Sequence, residues 1–246
     1  MKRDFSKRLS APVSFLGVFL ATLAGIAACT EQDSAPPAGT SSTTALSQDL
    51  VAAVRAEQQA PDIPIALLGF NMGSKDAPLR VIEFSDFGCG YCRKFHMETW
   101  PTLKADFVDT GKVEWKYVPM ILGIFPNAIE AAHAGECAGE QDRFEVMSGR
   151  LFGDQVDWKN SGEPQEVFRR FAREEGLDVE RFDRCVSEEA RLERIQAGTA
   201  LSRQAGVRGT PTFFVVGYPP LQGALPLEMF HQVLSAAWEA ETGGGS

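Results

Sequence analysis

Cys89-Gly90-Tyr91-Cys92 sets two thiols one helical turn apart, directly after the apolar run Leu79-Arg80-Val81-Ile82-Glu83-Phe84. That run reads as a buried strand bounded by Pro78 and Asp86, and a helical pattern continues from the motif to about Val108. A cysteine at the first turn of a helix meets unpaired backbone N–H groups and the positive end of the macrodipole. Both stabilise a thiolate, the attacking species in thiol–disulfide exchange. Cys89 is therefore the expected nucleophile, and Cys92, one turn deeper, the resolving thiol reached through a mixed disulfide. A bridge closing so short a loop stabilises little, which argues against a purely structural pair. Zinc bound by four cysteines is disfavoured, because only one C-x-x-C is present and Cys137 and Cys185 stand apart. The three histidines are scattered, so neither a metal nor a cofactor is expected.

The surrounding pattern says what must position this pair. Residues 113–118, Val-Glu-Trp-Lys-Tyr-Val, alternate like a second strand, and Pro101 is expected to kink the helix between the two strands. From Asn127 to about Ala205 the pattern is helical. Asn127 with Glu130 makes a capping pair, and Ile129, His133 and Cys137 recur at four-residue spacing. Pro164 opens another helix with Val167, Phe168 and Phe171 inward, ended by Gly176. Asp178 caps a third, whose apolar face is Val179, Phe182, Cys185 and Val186. Strand character returns at 212–216, and a last helix covers Pro226 to Ala240. Strand, helix, strand, helical block, strand, helix describes an α/β sheet interrupted by a helical insertion.

Two segments carry a resemblance. Val81 to Cys92, and Gly209-Thr210-Pro211-Thr212-Phe213-Phe214 some 120 residues later, resemble the DsbA-like branch of the thioredoxin superfamily over residues 62 to 240. The resemblance implies a thioredoxin fold with an inserted helical subdomain and thiol–disulfide exchange as the activity. It implies that Thr210–Pro211 is cis and faces the redox pair, leaving backbone groups open to an extended substrate. Glu83 occupies the place where the family keeps a buried acid, expected to have a raised pKa and to pass a proton to Cys92. Many relatives carry a cysteine pair in the insertion, so Cys137 and Cys185 are expected to form a structural disulfide rather than two buried thiols. Gly90 and Tyr91 replace the Pro-His dipeptide of strongly oxidising members, which points to a milder oxidant. With Thr210, they look more like the DsbC/DsbG isomerases. His96 is expected to be a surface or packing residue, and His133, on an apolar helix face, a satisfied core histidine.

The N-terminus places this chemistry. Lys2, Arg3, Lys7 and Arg8 precede an uncharged stretch of 18 residues, Ala11 to Ala28, the arrangement of an export signal. Its ending, Ile26-Ala27-Ala28-Cys29, resembles the lipobox of bacterial lipoproteins, which makes Cys29 the lipid-bearing residue. Four cysteines then remain, an even number in an oxidising compartment. Loss of 1–28 removes four basic residues and Asp4, taking the net charge from −9 to −12, a balance that disfavours nucleic acid. The expected organisation is a leader at 1–28 and a Ser/Thr/Pro-rich tether with a short helix at 29–60. The fold's first part follows at 61–122, then the insertion at 123–205 and the second part at 206–246. Expected partners are unfolded or misoxidised exported proteins and a membrane redox partner, met on the periplasmic side. A reductase fed by a membrane electron donor and a redox-inert peptide-binding module remain as alternatives.

Overall fold

The computed structural model describes residues 64–243. The leader, Cys29, the tether and the helix expected near 47–58 lie outside the described residues.

Five strands form one sheet in the order β1-β3-β2-β4-β5: β1 Phe70–Met72, β2 Leu79–Ser85, β3 Val113–Pro119, β4 Thr212–Val215 and β5 Leu221–Gln222. The central strand β2 runs parallel to β3 and antiparallel to β4, so Glu83 lies opposite Tyr117 on one side and Phe213 on the other. β3 does not alternate as its sequence suggests. Between β1 and β2 it is covered on both faces, and only Lys116 is half-buried, its ammonium donating to Leu68 O at 2.9 Å. A strand covered on both sides has no solvent face for polar residues to mark. β1 and β5 are edge strands of three and two residues, too short to show a period.

The helix after the motif is irregular. α1, Gly90–Lys94, passes through a π turn at Phe95–Thr99 into α2, Trp100–Leu103, and a second π turn covers Lys104–Val108. Pro101 sits in the first turn of α2, where its missing N–H costs least, and the disturbance expected there is taken up by the flanking π turns. This segment and α9, Leu227–Thr242, cover one face of the sheet. Phe95 is the centre of that layer, with ring centroids 4.6 Å from Phe213, 5.3 Å from Phe230 and 6.0 Å from Trp115.

Six helices follow β3: α3 Ala128–Gly139, α4 Phe144–Gly153, α5 Gln155–Trp158, α6 Pro164–Glu174, α7 Val179–Ser187 and α8 Leu192–Gln204. α8 covers the second sheet face against Phe84 and Val118. The approach is close enough that a Cβ on Gly198 would meet Pro119 O at 2.8 Å, so only glycine fits. The other five helices bury Leu151, Phe152, Trp158, Phe168, Phe171 and Phe182 in a core continuous with Phe87 and Tyr117. The insertion therefore packs on the end of the sheet that carries the cysteine motif. Asp178 caps α7 by accepting from Arg181 N–H at 3.0 Å.

Two local expectations fail. Asn127 has left-handed backbone (φ 56°) and makes no cap with its side chain. Its amide donates instead to Trp158 O, Lys159 O and Ser161 O, because three carbonyls of the neighbouring loop outweigh one helix end. Ile129 is 39% exposed in the first turn of α3, although His133 and Cys137 on the same stripe are buried.

Cys137 on α3 and Cys185 on α7 are joined by a disulfide spanning 48 residues. Closing a loop of that length constrains the unfolded chain by about 4 kcal/mol in the chain-entropy account. Replacing both cysteines by alanine is expected to lower the urea midpoint by that order of stability. An unchanged midpoint would show that the bridge does not hold the insertion together.

Candidate active site

Cys89 stands at the cap position of α1 with extended backbone (φ −79°, ψ 125°). Its N–H donates to Asp86 O and its carbonyl accepts from Arg93 N–H, both at 3.0 Å. Neither Cys89 nor Cys92 is bridged, and exposure falls from 4% at Cys89 to none at Cys92. The two thiols are driven apart in acidity. Cys89 is lowered from 9.0 to about 5, chiefly because the Cys92 thiol donates to it. The Thr210 hydroxyl and the N–H groups of Cys92 and Tyr91 add to this and together outweigh its burial. Cys92 is raised by burial and then by the charge forming on Cys89. The Ser85 and Thr210 hydroxyls are buried without another partner among the described residues, so both are free to donate to sulfur.

The Thr210–Pro211 bond is cis, and Cys89 Sγ lies 3.4 Å from Thr210 O. Thr212 Oγ1–H donates to Gly209 O at 2.8 Å and Gly223 N–H to Pro211 O at 2.8 Å, fixing the loop from both sides. Gly90 is exposed with open space around it, and the Tyr91 ring is 69% exposed. The dipeptide acts on the sulfur through the Tyr91 N–H, since the Tyr91 ring turns out to solvent.

Glu83 is completely buried, which excludes a water-facing strand edge. Its carboxylate accepts from Trp115 Nε1–H at 2.9 Å and from His96 Nε2–H at 2.7 Å. His96 is therefore no surface residue: it is buried, stacked on Phe152 at 4.0 Å, and bound to the central strand. Tyr117 lies among Glu83, Cys92 and Asp86; burial, then their negative charge, holds its phenol far above the ordinary range. His133 is a buried packing residue whose Nε2 accepts Arg191 N–H at 3.3 Å. It lies within 4.8 Å of the ligand atoms of Cys137 and Cys185, but the disulfide occupies both sulfurs.

Two residues at the site escape the sequence reading as functional. Asp86 is buried, and its carboxylate accepts Gly88 N–H at 2.8 Å and Leu122 N–H at 3.0 Å. An aspartate directly after a strand and two residues before a glycine is the signature of such a turn. Gln155 on α5 donates to Phe87 O at 2.5 Å and Cys89 O at 3.3 Å. Nothing local marks Gln155, which is brought there by the insertion from 66 residues away. Gly88 has to be glycine, because a Cβ there would lie 2.4 Å from Phe125 Cβ.

A low-pKa cysteine at a helix start, a protected partner one turn on and a cis-proline loop against them define the thioredoxin-fold redox proteins as a class. The thioredoxin family model matches residues 68–232. Over 194 residues the chain is 32% identical to the Na(+)/H(+) antiporter NhaA of Herminiimonas arsenicoxydans, covering 76% of this chain but only 30% of the antiporter's length. It is 26% identical over 155 residues to the probable disulfide bond formation protein D of Bacillus anthracis, covering 60% of this chain and 69% of that one. Among solved structures, alpha-DsbA1 of Wolbachia pipientis superposes with a TM-score of 0.64 at 21% identity, over 72% of this chain and 96% of that one. The chain belongs to the thioredoxin family.

Thiolate absorbance of the reduced protein is expected to rise with a midpoint near 5, with a single cysteine ionising below pH 8. A folded-state value below the unfolded one stabilises the reduced fold fully above about pH 9, and that stabilisation is lost as pH falls through about 5. The disulfide form has no such group. The excess stability of the reduced over the oxidised form should therefore shrink between those limits, and a midpoint near 8 to 9 would contradict the site described.

Proposed function

We propose that this chain forms or isomerises disulfides in exported proteins, with Cys89 and Cys92 as the exchanging pair. The observation that carries the reading is the placement of the pair: Cys89 stands at the start of α1 against the Thr210–Pro211 loop, and Cys92 is buried one turn below. The split acidity of the two sulfurs follows from it. A client thiolate attacks Cys89 Sγ of the Cys89–Cys92 disulfide, and Cys92 leaves and takes up a proton. A second client thiolate attacks the client sulfur of the mixed disulfide, and Cys89 leaves as a thiolate. The client loses two electrons and two protons; the pair gains the electrons, Cys92 keeps one proton and water receives the other. A low-pKa leaving sulfur speeds the last step, and its stability in the reduced state makes the disulfide oxidising. The donors to Cys89 are supplied without an imidazole in the dipeptide.

Three further features support the reading. Val156, Ile124 and Tyr91, at 79, 73 and 69% exposure, are the most exposed large apolar side chains among the described residues, and all three flank the motif. Val156 follows Gln155, which reaches Cys89 O, and Ile124 precedes Phe125, which packs on Gly88. Such a rim suits an unfolded polypeptide. Glu83, held by His96 and Trp115 near the buried pair, is the carboxylate we assign to proton transfer with Cys92. The export signal and Cys29 support work outside the cytoplasm at a lipid-anchored position. No helix among the described residues is long and apolar enough to cross a membrane.

Cys92→Ser removes the resolving thiol and is expected to trap a reduced cysteine peptide on Cys89 after oxidation by glutathione disulfide. The adduct should be absent in Cys89→Ser. Loss of the adduct from both variants would overturn exchange and leave a peptide-binding role. With an activity assay in hand, Glu83→Gln should displace the pH profile of turnover, and an unmoved profile would remove Glu83 from the mechanism.

A further inference from the structure

The exchange steps above make no use of Asp86, yet it is the carboxylate most closely built into the motif. It directly follows β2 at 1% exposure, three residues before Cys89. Its two oxygens serve two chain segments: Oδ1 accepts from Gly88 N–H within the turn, and Oδ2 from Leu122 N–H in the segment after β3. Its main-chain carbonyl accepts from Cys89 N–H. One side chain thus fixes the turn that delivers Cys89 to the start of α1. The charged and titratable groups around it are few. Cys89 lies on its own turn, Lys159 follows α5, and the Tyr117 phenol stands on β3.

We propose that Asp86 is a positioning residue that also takes up a proton when the Cys89–Cys92 disulfide is reduced. The inference rests on the exchange reading and adds the fate of the second proton. In the disulfide form burial still holds Asp86 up against its two N–H donors and Lys159, but no negative sulfur faces it, so it gives up its proton at a lower pH than in the reduced protein. Reduction by a client dithiol breaks the S–S bond and leaves Cys89 as a thiolate and Cys92 as a thiol. The client becomes a disulfide and releases two protons. Cys92 takes one; the other goes to Asp86 or to water, according to pH. Burial is the main reason Asp86 holds its proton to about pH 6 in the reduced protein, and the Cys89 thiolate adds to it. Below that pH the pair reduces beside a neutral acid, and above it beside a second negative charge. The site is thereby a stronger oxidant in mildly acid surroundings than its sulfurs alone would make it.

Asp86→Asn keeps an acceptor and removes the charge. In the full-length protein the Cys89 thiolate midpoint, followed by absorbance, should stay near 5, because Asp86 is still protonated there, while the extra pH dependence of the reduction potential near pH 6 should disappear. The reduction potential of the wild type should drop more steeply between pH 5 and 7 than that of the variant. Parallel potential curves for wild type and variant would overturn the proposal, since a purely structural loss disturbs the turn without removing a titrating group. Should Asp86→Asn fail to fold, Lys159→Gln decides the matter. Removing the one nearby cation should move the inflection near pH 6 upward, and an unmoved inflection would overturn the coupling. Absence of any redox transition in the wild type would instead sink the exchange reading and the proposal with it, whereas a transition with parallel curves sinks the proposal alone.

Discussion

A negative sulfur held at the start of a helix, with its partner one turn below kept neutral, is the constraint on which the rest of the site depends. The hydrogen bond from Cys92 to Cys89 is the main reason Cys89 is acidic, because one thiol can donate only if the other accepts. Burial then deepens the asymmetry, since Cys92 has no contact with water and a second charge there would be unsolvated. Thr210 from the proline loop, Ser85 from the central strand and the first N–H groups of α1 complete the set of donors.

Holding those donors in place requires both halves of the fold. β2 delivers Glu83, Ser85 and Asp86 toward the same end of the sheet, and β4 brings the proline loop alongside it. The insertion closes the site from above: Gln155 binds the carbonyls of Phe87 and Cys89, and Phe152 stacks on His96. The Cys137–Cys185 bridge lies behind this contact, in the core shared by α3 and α7. It can therefore affect the redox pair only by keeping that layer packed.

How much of this is legible in the sequence follows from how local each cause is. The strand leading into Cys89-Gly90-Tyr91-Cys92 and the Gly209-to-Phe214 segment are contiguous signals, and they carry the fold and the redox pair. Glu83 is legible as a buried acid because its neighbours Val81 and Phe84 already mark a core strand. Its partner His96 is not, because the side of α1 that meets Glu83 depends on the sheet order and on the π turn at Phe95–Thr99. Asn127 carries a correct local signal that loses to three carbonyls from a loop more than thirty residues away. β1 and β5 pair only because the sheet edge is there to receive them. Asp86 and Gln155 mark the same divide, the first announced by its turn and the second by nothing local.

The account is tested most directly by equilibrating the full chain in graded glutathione buffers and reading the reduced fraction of Cys89 and Cys92 by thiol labelling. It predicts one two-electron transition between about −120 and −200 mV, the range of proteins that donate or reshuffle disulfides. A potential near about −270 mV would contradict the proposed direction and point to a reductase. No transition at all would mean that the two sulfurs, although unequal in acidity, do not exchange.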